Sequence, residues 1–285
     1  MAQADRDAEM PVPGGKNILV KFENGIAWVI LNRPEKRNAM SPALNKEMLT
    51  VLDALETDSR CKILVLTGAG EAFSAGMDLK EYFRDVDKQN PIEVMKIRRE
   101  AFEWHYRRLM YFPKPTIAMV NGWCFGGAFV PLVSCDLAIT ADEATFGISE
   151  INWGIIPAGG VPKALTSTLN QRNGLYYAMT GETFSGKRAV EIGLVNESVP
   201  LSQLQERVVK LAEVLLQKSP TILAAAKRSY KHLQEMSWDA AFDYIAAVAV
   251  SATSQDTEKG REKGLSQFLD QKSYRPGLGV YDKNE

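Results

Sequence analysis

Apolar and polar residues alternate through Asn17–Glu23 (NILVKFE) and again through Gly25–Asn32 (GIAWVILN), with Glu23-Asn24-Gly25 between the two arms. A period of two with an Asn-Gly step between runs predicts a β-hairpin. The period then changes. After Ser41-Pro42, the residues Leu44, Met48, Val51, Leu52 and Leu55 recur at helical spacing. That predicts a helix with a serine N-cap, a first-turn proline and one buried stripe. The run KILVLTGAG is continuously apolar and ends in glycines, as expected of a strand covered on both faces. Residues from about 92 to 111 predict a charged amphipathic helix. Ile117–Val120 (IAMV) predicts the next strand, running into a turn that carries Gly126 and Gly127, with an apolar segment directly after.

Strands alternating with helices to about residue 200 imply crossover connections and a layered α/β core. From Gln203 the pattern is helical throughout, in VVKLAEVLLQ, TILAAAKRSYKHL, WDAAFDYIAAVAVSA and EKGREKGLSQFL. The expected organisation is a tail over 1–15, a core over 16–200, a helical region over 201–270 and a C-terminal tail over 271–285. The alanine-rich stretch Ala240–Ala252 carries apolar surface suited either to a subunit interface or to packing within the chain.

Composition narrows the function classes. The 285 residues are 45% hydrophobic and 24% charged, with 34 basic residues against 35 acidic, a net charge of −1. This is ordinary globular composition, and it supplies no electrostatic reason to expect nucleic acid or an anionic membrane as a partner. No apolar run approaches the roughly 18–20 residues that span a bilayer. Cys61, Cys124 and Cys135 lack metal-ligand spacing, and a reducing cytoplasm is the expected compartment. The two histidines, His105 and His232, lie in helical, charged sequence and read as packing or surface residues, so a triad or histidine-rich metal site is not expected.

Two glycine turns stand out, Phe73–Lys80 (FSAGMDLK) after the LVLTG strand and Asn121–Val133 (NGWCFGGAFVPLV) after IAMV. Neither fits the known glycine-rich phosphate loops. Each can aim one backbone N–H at a common point, and two converging donors are the minimal oxyanion hole. Ordinary tight turns are the alternative reading of these residues alone. Glu150 stands among Ile148, Ile151 and Trp153, and a carboxylate in apolar company has a raised pKa suited to proton transfer. The loop Arg33–Met40 (RPEKRNAM) reads, by itself, as a solvated basic turn.

In this order and at these separations, the four stretches resemble the crotonase (enoyl-CoA hydratase/isomerase) superfamily, from NRPEKRNAM through GLVNESVP. GMDLKEYFRDVD, KPTIAMVNGWCFGGAF, SEINWGI and FLDQKSYRPGL are similar to its branch that cleaves hydroxycinnamoyl-CoA thioesters. The resemblance implies an α/β fold with a crotonase-type ββα spiral core and a C-terminal helical trimerisation region, assembled as a homotrimer or a dimer of trimers. It implies an oxyanion hole at the N–H groups of Met77 and Gly127, and Glu150 as acid/base. It places Lys36, Ala75, Leu79, Ser149 and Trp153 along the CoA or substrate pocket, and Tyr82 facing the phenolic end. The substrate would be an acyl-CoA thioester; coenzyme A is part of it, and no metal or other cofactor is implied.

Several positions depart from the pattern. Val130 stands where ordinary hydratases carry a second acid and the lyase branch often has a small hydroxyl residue. Ala246 stands where that branch has a substrate-facing tyrosine, and Ile156 and Ala158 replace a proline and a glycine. Altered aromatic selectivity is expected, with lyase activity weaker than hydration. Two other readings stay open: a single-carboxylate hydratase or isomerase without lyase activity, and a non-catalytic RNA-binding relative.

Overall fold

The computed structural model describes residues 11–273, 277 and 279–283. Strands β1 (Ile18–Glu23) and β2 (Ile26–Leu31) form the predicted hairpin, with Ile18 opposite Leu31. Asn24 (φ 49°) and Gly25 (φ 83°) are both left-handed. Such a two-residue turn matches the twist of the strands it joins. Helix α1 (Pro42–Thr57) follows its Ser41 cap, whose hydroxyl accepts the Leu44 N–H at 3.3 Å. Leu44, Met48, Val51, Leu52 and Leu55 are all buried, so the helical stripe is the core face.

The chain then winds in repeating turns, each giving one strand to a large sheet and a short strand to a small one. The large sheet has the order β1-β2-β3-β5-β7-β10, from β3 (Ile63–Gly68), β5 (Thr116–Val120), β7 (Leu137–Ala141) and β10 (Glu197–Val199). All its pairs beyond the hairpin are parallel. The small sheet runs β4-β6-β8-β9, from β4 (Ala72–Ser74), β6 (Trp123–Phe125), β8 (Thr145–Gly147) and β9 (Thr183–Ser185). Every residue of β3 is buried, as its unbroken apolar run requires.

Two predicted elements differ. IAMV does not run straight into the glycine turn, because the three-residue strand β6 intervenes before the helical turn Gly126–Ala128 and helix α3 (Phe129–Ser134). Three residues are too few to show a period, and their place is set by pairing with β4 and β8. The expected helix over 92–111 is α-helical only as α2 (Pro91–Phe102) and continues as a wider π turn over Glu103–Arg108. Trp104 and His105 are both buried there. Neighbours about 100° apart on a regular α-helix do not share one face equally, and the widened turn accommodates both. Trp104 Nε1 donates to the buried Asn45 Oδ1 at 2.8 Å.

Helices α4 (Val161–Thr168), α5 (Gln171–Thr180) and α6 (Gly186–Glu191) complete the turns. The four expected C-terminal helices follow as α7 (Leu201–Leu216), α8 (Pro220–Leu233), α9 (Trp238–Gln255) and α10 (Gly260–Leu269). Helix α7 packs on the large sheet, while α9 packs on α8. Val248 and Ala252 of α9 are buried, but Trp238 (93% exposed), Phe242, Ile245 and Val250 face outward. Both histidines have packing roles: His105 is buried beside Trp104, and His232 stacks on Tyr111 at 4.9 Å. Cys61, Cys124 and Cys135 are free and buried. Residues 1–10 of the N-terminal tail, and residues 274–276, 278 and 284–285 of the expected C-terminal tail, lie outside the described residues.

Candidate active site

The loop Arg33–Met40, read from sequence as a solvated turn, is instead anchored in the protein. Arg33 (8% exposed) and Asn38 are buried. Asn38 Oδ1 accepts the Arg33 N–H at 2.9 Å, and its Nδ2 donates to the carbonyls of Ala69 and Ala72. The Arg33 guanidinium donates from Nη1 to the Ala39 carbonyl at 2.6 Å and to Asp78 Oδ2 at 3.0 Å. Its Nη2 reaches Glu81 Oε1 at 2.7 Å. Composition cannot distinguish a buried arginine from a solvated one; the available signal was Asp78, standing at the N-cap of LKEYFR with its own partner to find.

Asp78 Oδ1 caps the π turn Leu79–Arg84 by accepting from the Lys80 and Glu81 N–H groups at 3.0 and 2.8 Å. Burial pushes its carboxyl pKa up, but the Glu81 N–H and Arg33 together hold it below the usual carboxylate range. Met40 brackets the neighbouring residue. Its N–H donates to the Gly76 carbonyl at 2.8 Å and its carbonyl accepts the Asp78 N–H at 3.1 Å. Met77, between them, has an N–H without an acceptor among the described residues.

The second donor lies beside the first. Gly127 is the second residue of the turn Gly126–Ala128, where an N–H has no intrahelical acceptor. A Cβ on Gly127 would stand 3.4 Å from the Met77 nitrogen and 3.0 Å from Met77 Cγ. One on Gly76 (φ 86°) would stand 2.6 Å from the Phe125 carbonyl oxygen and 3.0 Å from the Gly127 nitrogen. At Gly76 the left-handed φ and the 2.6 Å approach to backbone both require glycine, and this contact joins the two segments across the β4–β6 pairing.

Glu150 opens the short helical turn Glu150–Trp153 after β8. Its Oε1 would stand 2.8 Å from a Cβ on Gly126, and Oε2 is buried without a hydrogen-bond partner. Burial raises its pKa, opposed only by its own N–H. Of its apolar neighbours in sequence, Ile148 is buried, whereas Ile151 and Trp153 are 43% and 65% exposed. The carboxylate lies against the Gly126 turn.

Met77, Gly127 and Glu150 are therefore brought together around Gly76 and Gly126. Val130 is buried on α3, and its Cγ2 would lie 3.4 Å from a Cβ on Gly160, which puts it against the Ala158–Gly160 turn. Ser149 is half-buried next to Glu150, and Ala75 is half-buried, its N–H held by the Arg37 carbonyl at 2.8 Å. Tyr82 is half-buried on the π turn, edge-on to Phe83. Burial raises its hydroxyl pKa, with Arg98 opposing. Lys36, Leu79, Trp153, Ile156 and Ala158 are exposed. Ala246 is exposed on α9, whose packing partner is α8.

The backbone N–H groups of Met77 and Gly127 thus lie near a half-buried carboxylate whose Oε2 is fully covered, and the chain belongs to the enoyl-CoA hydratase/isomerase family, whose sequence model matches residues 21–275. It is 59% identical over 268 residues to the hydroxycinnamoyl-CoA hydratase-lyase of Pseudomonas fluorescens, covering 94% of this chain and 97% of that protein. It is 29% identical over 256 residues to the 2,3-dehydroadipyl-CoA hydratase of Escherichia coli K12, covering 90% and 96%. The crystal structure of an enoyl-CoA hydratase from Bacillus anthracis superposes with a TM-score of 0.80 at 26% identity, covering 94% of this chain and all of that one. The architecture is the crotonase fold.

Proposed function

We propose that the protein hydrates a 4-hydroxycinnamoyl-CoA thioester such as feruloyl-CoA and cleaves the adduct to a hydroxybenzaldehyde, such as vanillin, and acetyl-CoA. The observation that carries this reading is the paired Met77 and Gly127 N–H groups beside Glu150, in a chain 59% identical to a hydroxycinnamoyl-CoA hydratase-lyase over nearly its whole length. Glu150 takes a proton from water as the oxygen adds to the β-carbon. Charge moves to the thioester oxygen, where the two N–H groups stabilise the enolate, and Glu150 returns the proton to the α-carbon. In the second stage Glu150 removes the β-hydroxyl proton and the Cα–Cβ bond breaks. The aldehyde leaves, and the acetyl-CoA enolate in the same hole is protonated. One oxyanion hole serves both stages, because only the transition states and intermediates carry the charge.

Tyr82, a phenol whose pKa burial raises further, is suited to donate to the phenolic oxygen, and an ionised para-hydroxyl pushes electrons toward the β-carbon. Val130 cannot titrate, so Glu150 carries both proton transfers. With Ala246 at the position of a substrate-facing tyrosine, ring selectivity is altered and cleavage is slower than hydration. No metal or redox group takes part. The proposed assembly is a homotrimer or dimer of trimers, supported by the exposed apolar face of α9. The proposed compartment is the reducing cytoplasm, supported by three free cysteines; among the described residues no helix is long and apolar enough to cross a membrane.

Product analysis across coumaroyl-, caffeoyl-, feruloyl- and unsubstituted cinnamoyl-CoA tests the proposal. Aldehyde and acetyl-CoA in equal amounts from the 4-hydroxylated substrates are expected. Hydration without aldehyde would replace the lyase reading with that of a simple hydratase. Glu150→Gln is expected to abolish turnover in a folded protein.

A further inference from the structure

The two oxyanion donors are not backed in the same way. Gly127 lies at the start of the helical run Gly126–Ser134, so its N–H belongs to the positive end of a short helix. Met77 lacks that support. It precedes the π turn Leu79–Arg84, but the carboxylate of Asp78 caps that turn and offsets its positive end. Something else must make the Met77 N–H a strong, fixed donor.

We propose that Arg33 is a positioning residue that polarises and aims the Met77 N–H through two peptide units. The chain of contacts is continuous. Arg33 Nη1 donates to the carbonyl of Ala39 at 2.6 Å. The N–H of that same peptide unit, on Met40, donates to the carbonyl of Gly76 at 2.8 Å. The N–H of the Gly76–Met77 unit is the free donor of the oxyanion hole. In a trans peptide the C=O and N–H point in opposite directions, so fixing the carbonyl of Gly76 aims the Met77 N–H away from Met40. A cation at the first carbonyl draws electron density toward that oxygen and leaves the Met40 N–H more positive. The effect repeats at Gly76, in the same sense, and each bond strengthens the next.

The environment favours the relay. Arg33 is buried, and although Asp78 Oδ2 and Glu81 Oε1 offset its charge, those same contacts hold its polarised Nη1–H on the Ala39 carbonyl, so the relay acts through that bond. Of the two carboxylates it meets, Glu81 is 43% exposed, and Asp78 has one oxygen engaged by the Lys80 and Glu81 N–H groups. Nη1 meets the Ala39 carbonyl at 2.6 Å, closer than the 3.0 Å at which it meets Asp78. Arg33 reaches no reacting atom; its influence on the thioester is entirely through the Met77 peptide.

The inference rests on the proposed oxyanion role of Met77, and its test separates the two. In a Glu150→Gln background that binds without turning over, the carbonyl stretch of a bound 4-hydroxycinnamoyl-CoA or simple trans-2-enoyl-CoA is measured by isotope-edited infrared difference spectroscopy. The expected shift to lower frequency is largest with Arg33, smaller in Arg33→Lys, which keeps charge but not the fork, and smallest in Arg33→Gln. With Glu150 intact, kcat of Arg33→Gln is expected to fall about tenfold, less than the 10²–10³ of a deleted donor, with KM within about twofold. A folded Arg33→Gln protein with an unchanged carbonyl frequency overturns the relay. If that variant does not fold, Arg33→Lys decides alone, and an unshifted frequency there overturns it equally. Binding of the simple enoyl thioester but not the hydroxycinnamoyl one sinks only the substrate assignment and leaves the relay to be read from the former. Binding of neither overturns both.

Discussion

The addition of one methyl group at Gly127 tests the oxyanion hole most directly. Gly127 is not among the left-handed glycines, so alanine fits its backbone without strain. The added Cβ would stand 3.0 Å from Met77 Cγ, 3.3 Å from Sδ and 3.4 Å from the Met77 nitrogen. The methionine side chain can rotate away; the nitrogen, fixed by both neighbouring peptides on Met40, cannot. The methyl then occupies space where an oxygen must approach to about 2.7–3.1 Å of both donors. Loss of one such donor costs about 3–4 kcal/mol of barrier, so kcat for Gly127→Ala is expected to fall about 10²–10³-fold. Because the interaction strengthens in the transition state, kcat and kcat/KM should fall together. The thermal midpoint should move by no more than a few degrees, corresponding to about 1 kcal/mol for a chain of this size. Gly193→Ala is the control. There the φ of 81° strains an alanine at a position whose Cβ would meet only the Thr168 carbonyl, none of the candidate site residues, so stability should fall while kcat holds. A Gly127→Ala enzyme within about fivefold of the parent kcat would refute the assignment of its N–H to the reaction.

Other expectations follow from buried groups. His105 has its pKa pushed down to about 3 from 6.5 by burial, so between those values the unfolded chain binds a proton the folded chain refuses. Stability should therefore fall as pH drops through that window, by up to about 1.4 kcal/mol per pH unit, and His105→Leu should flatten the slope of urea midpoints by one proton. Glu150 has the opposite linkage: its raised pKa means the folded chain keeps a proton that the unfolded chain releases above about 4.5, so its ionisation costs stability as pH rises. Glu150→Gln should melt higher than the parent near pH 8 and equally near pH 4, and a parent that melts higher at pH 8 would contradict the burial argument. Asp136 pairs with both Lys227 and Lys231, whose side chains are 9% and 13% exposed, so Asp136→Ala should cost about 3–5 kcal/mol in urea unfolding by stranding buried ammonium groups. Burial raises all three thiol pKa values, to about 12 for Cys61 and Cys135, so a disulfide reagent should label none of them until the protein unfolds.

The long elements were legible because burial imposes a period over many residues. The stripe of α1, the unbroken apolar run of β3 and the Asn-Gly hairpin each repeat a local rule often enough to be read. Strands β4, β6 and β8 have three residues each and repeat nothing. Their existence depends on pairing with segments about 20 to 50 residues away, so the small sheet that carries the glycine turns is a product of tertiary contacts. The π turn over Glu103–Arg108 is not legible for a related reason: EWHYRR is an acceptable helical sequence, and the joint burial of Trp104 and His105 appears only in the folded chain.

The site divides along the same line. Backbone chemistry left a mark in the sequence, because an N–H that must approach another segment closely demands glycine, and Gly76, Gly126 and Gly127 are visible as such. Glu150 is legible as a carboxylate whose pKa burial raises, and that direction holds. Of Ile148, Ile151 and Trp153 only Ile148 is buried, and the place of the carboxylate against the Gly126 turn is a tertiary contact that proximity in sequence does not show. Arg33 shows the limit most sharply. A basic loop of RPEKRNAM is ordinary surface composition, and nothing within it distinguishes the one buried guanidinium from Lys36 or Arg37 beside it. The distinction arises when Asp78 and the Ala39 carbonyl converge on Arg33, 45 residues from its carboxylate partner. A charge is inexpensive to place on a surface and costly to bury, so a buried charge with its partners in place constrains everything it touches. Here it touches the Ala39 carbonyl, whose peptide unit is bonded in turn to Gly76, so a loop that reads as ordinary surface is tied to the backbone of the proposed donor Met77.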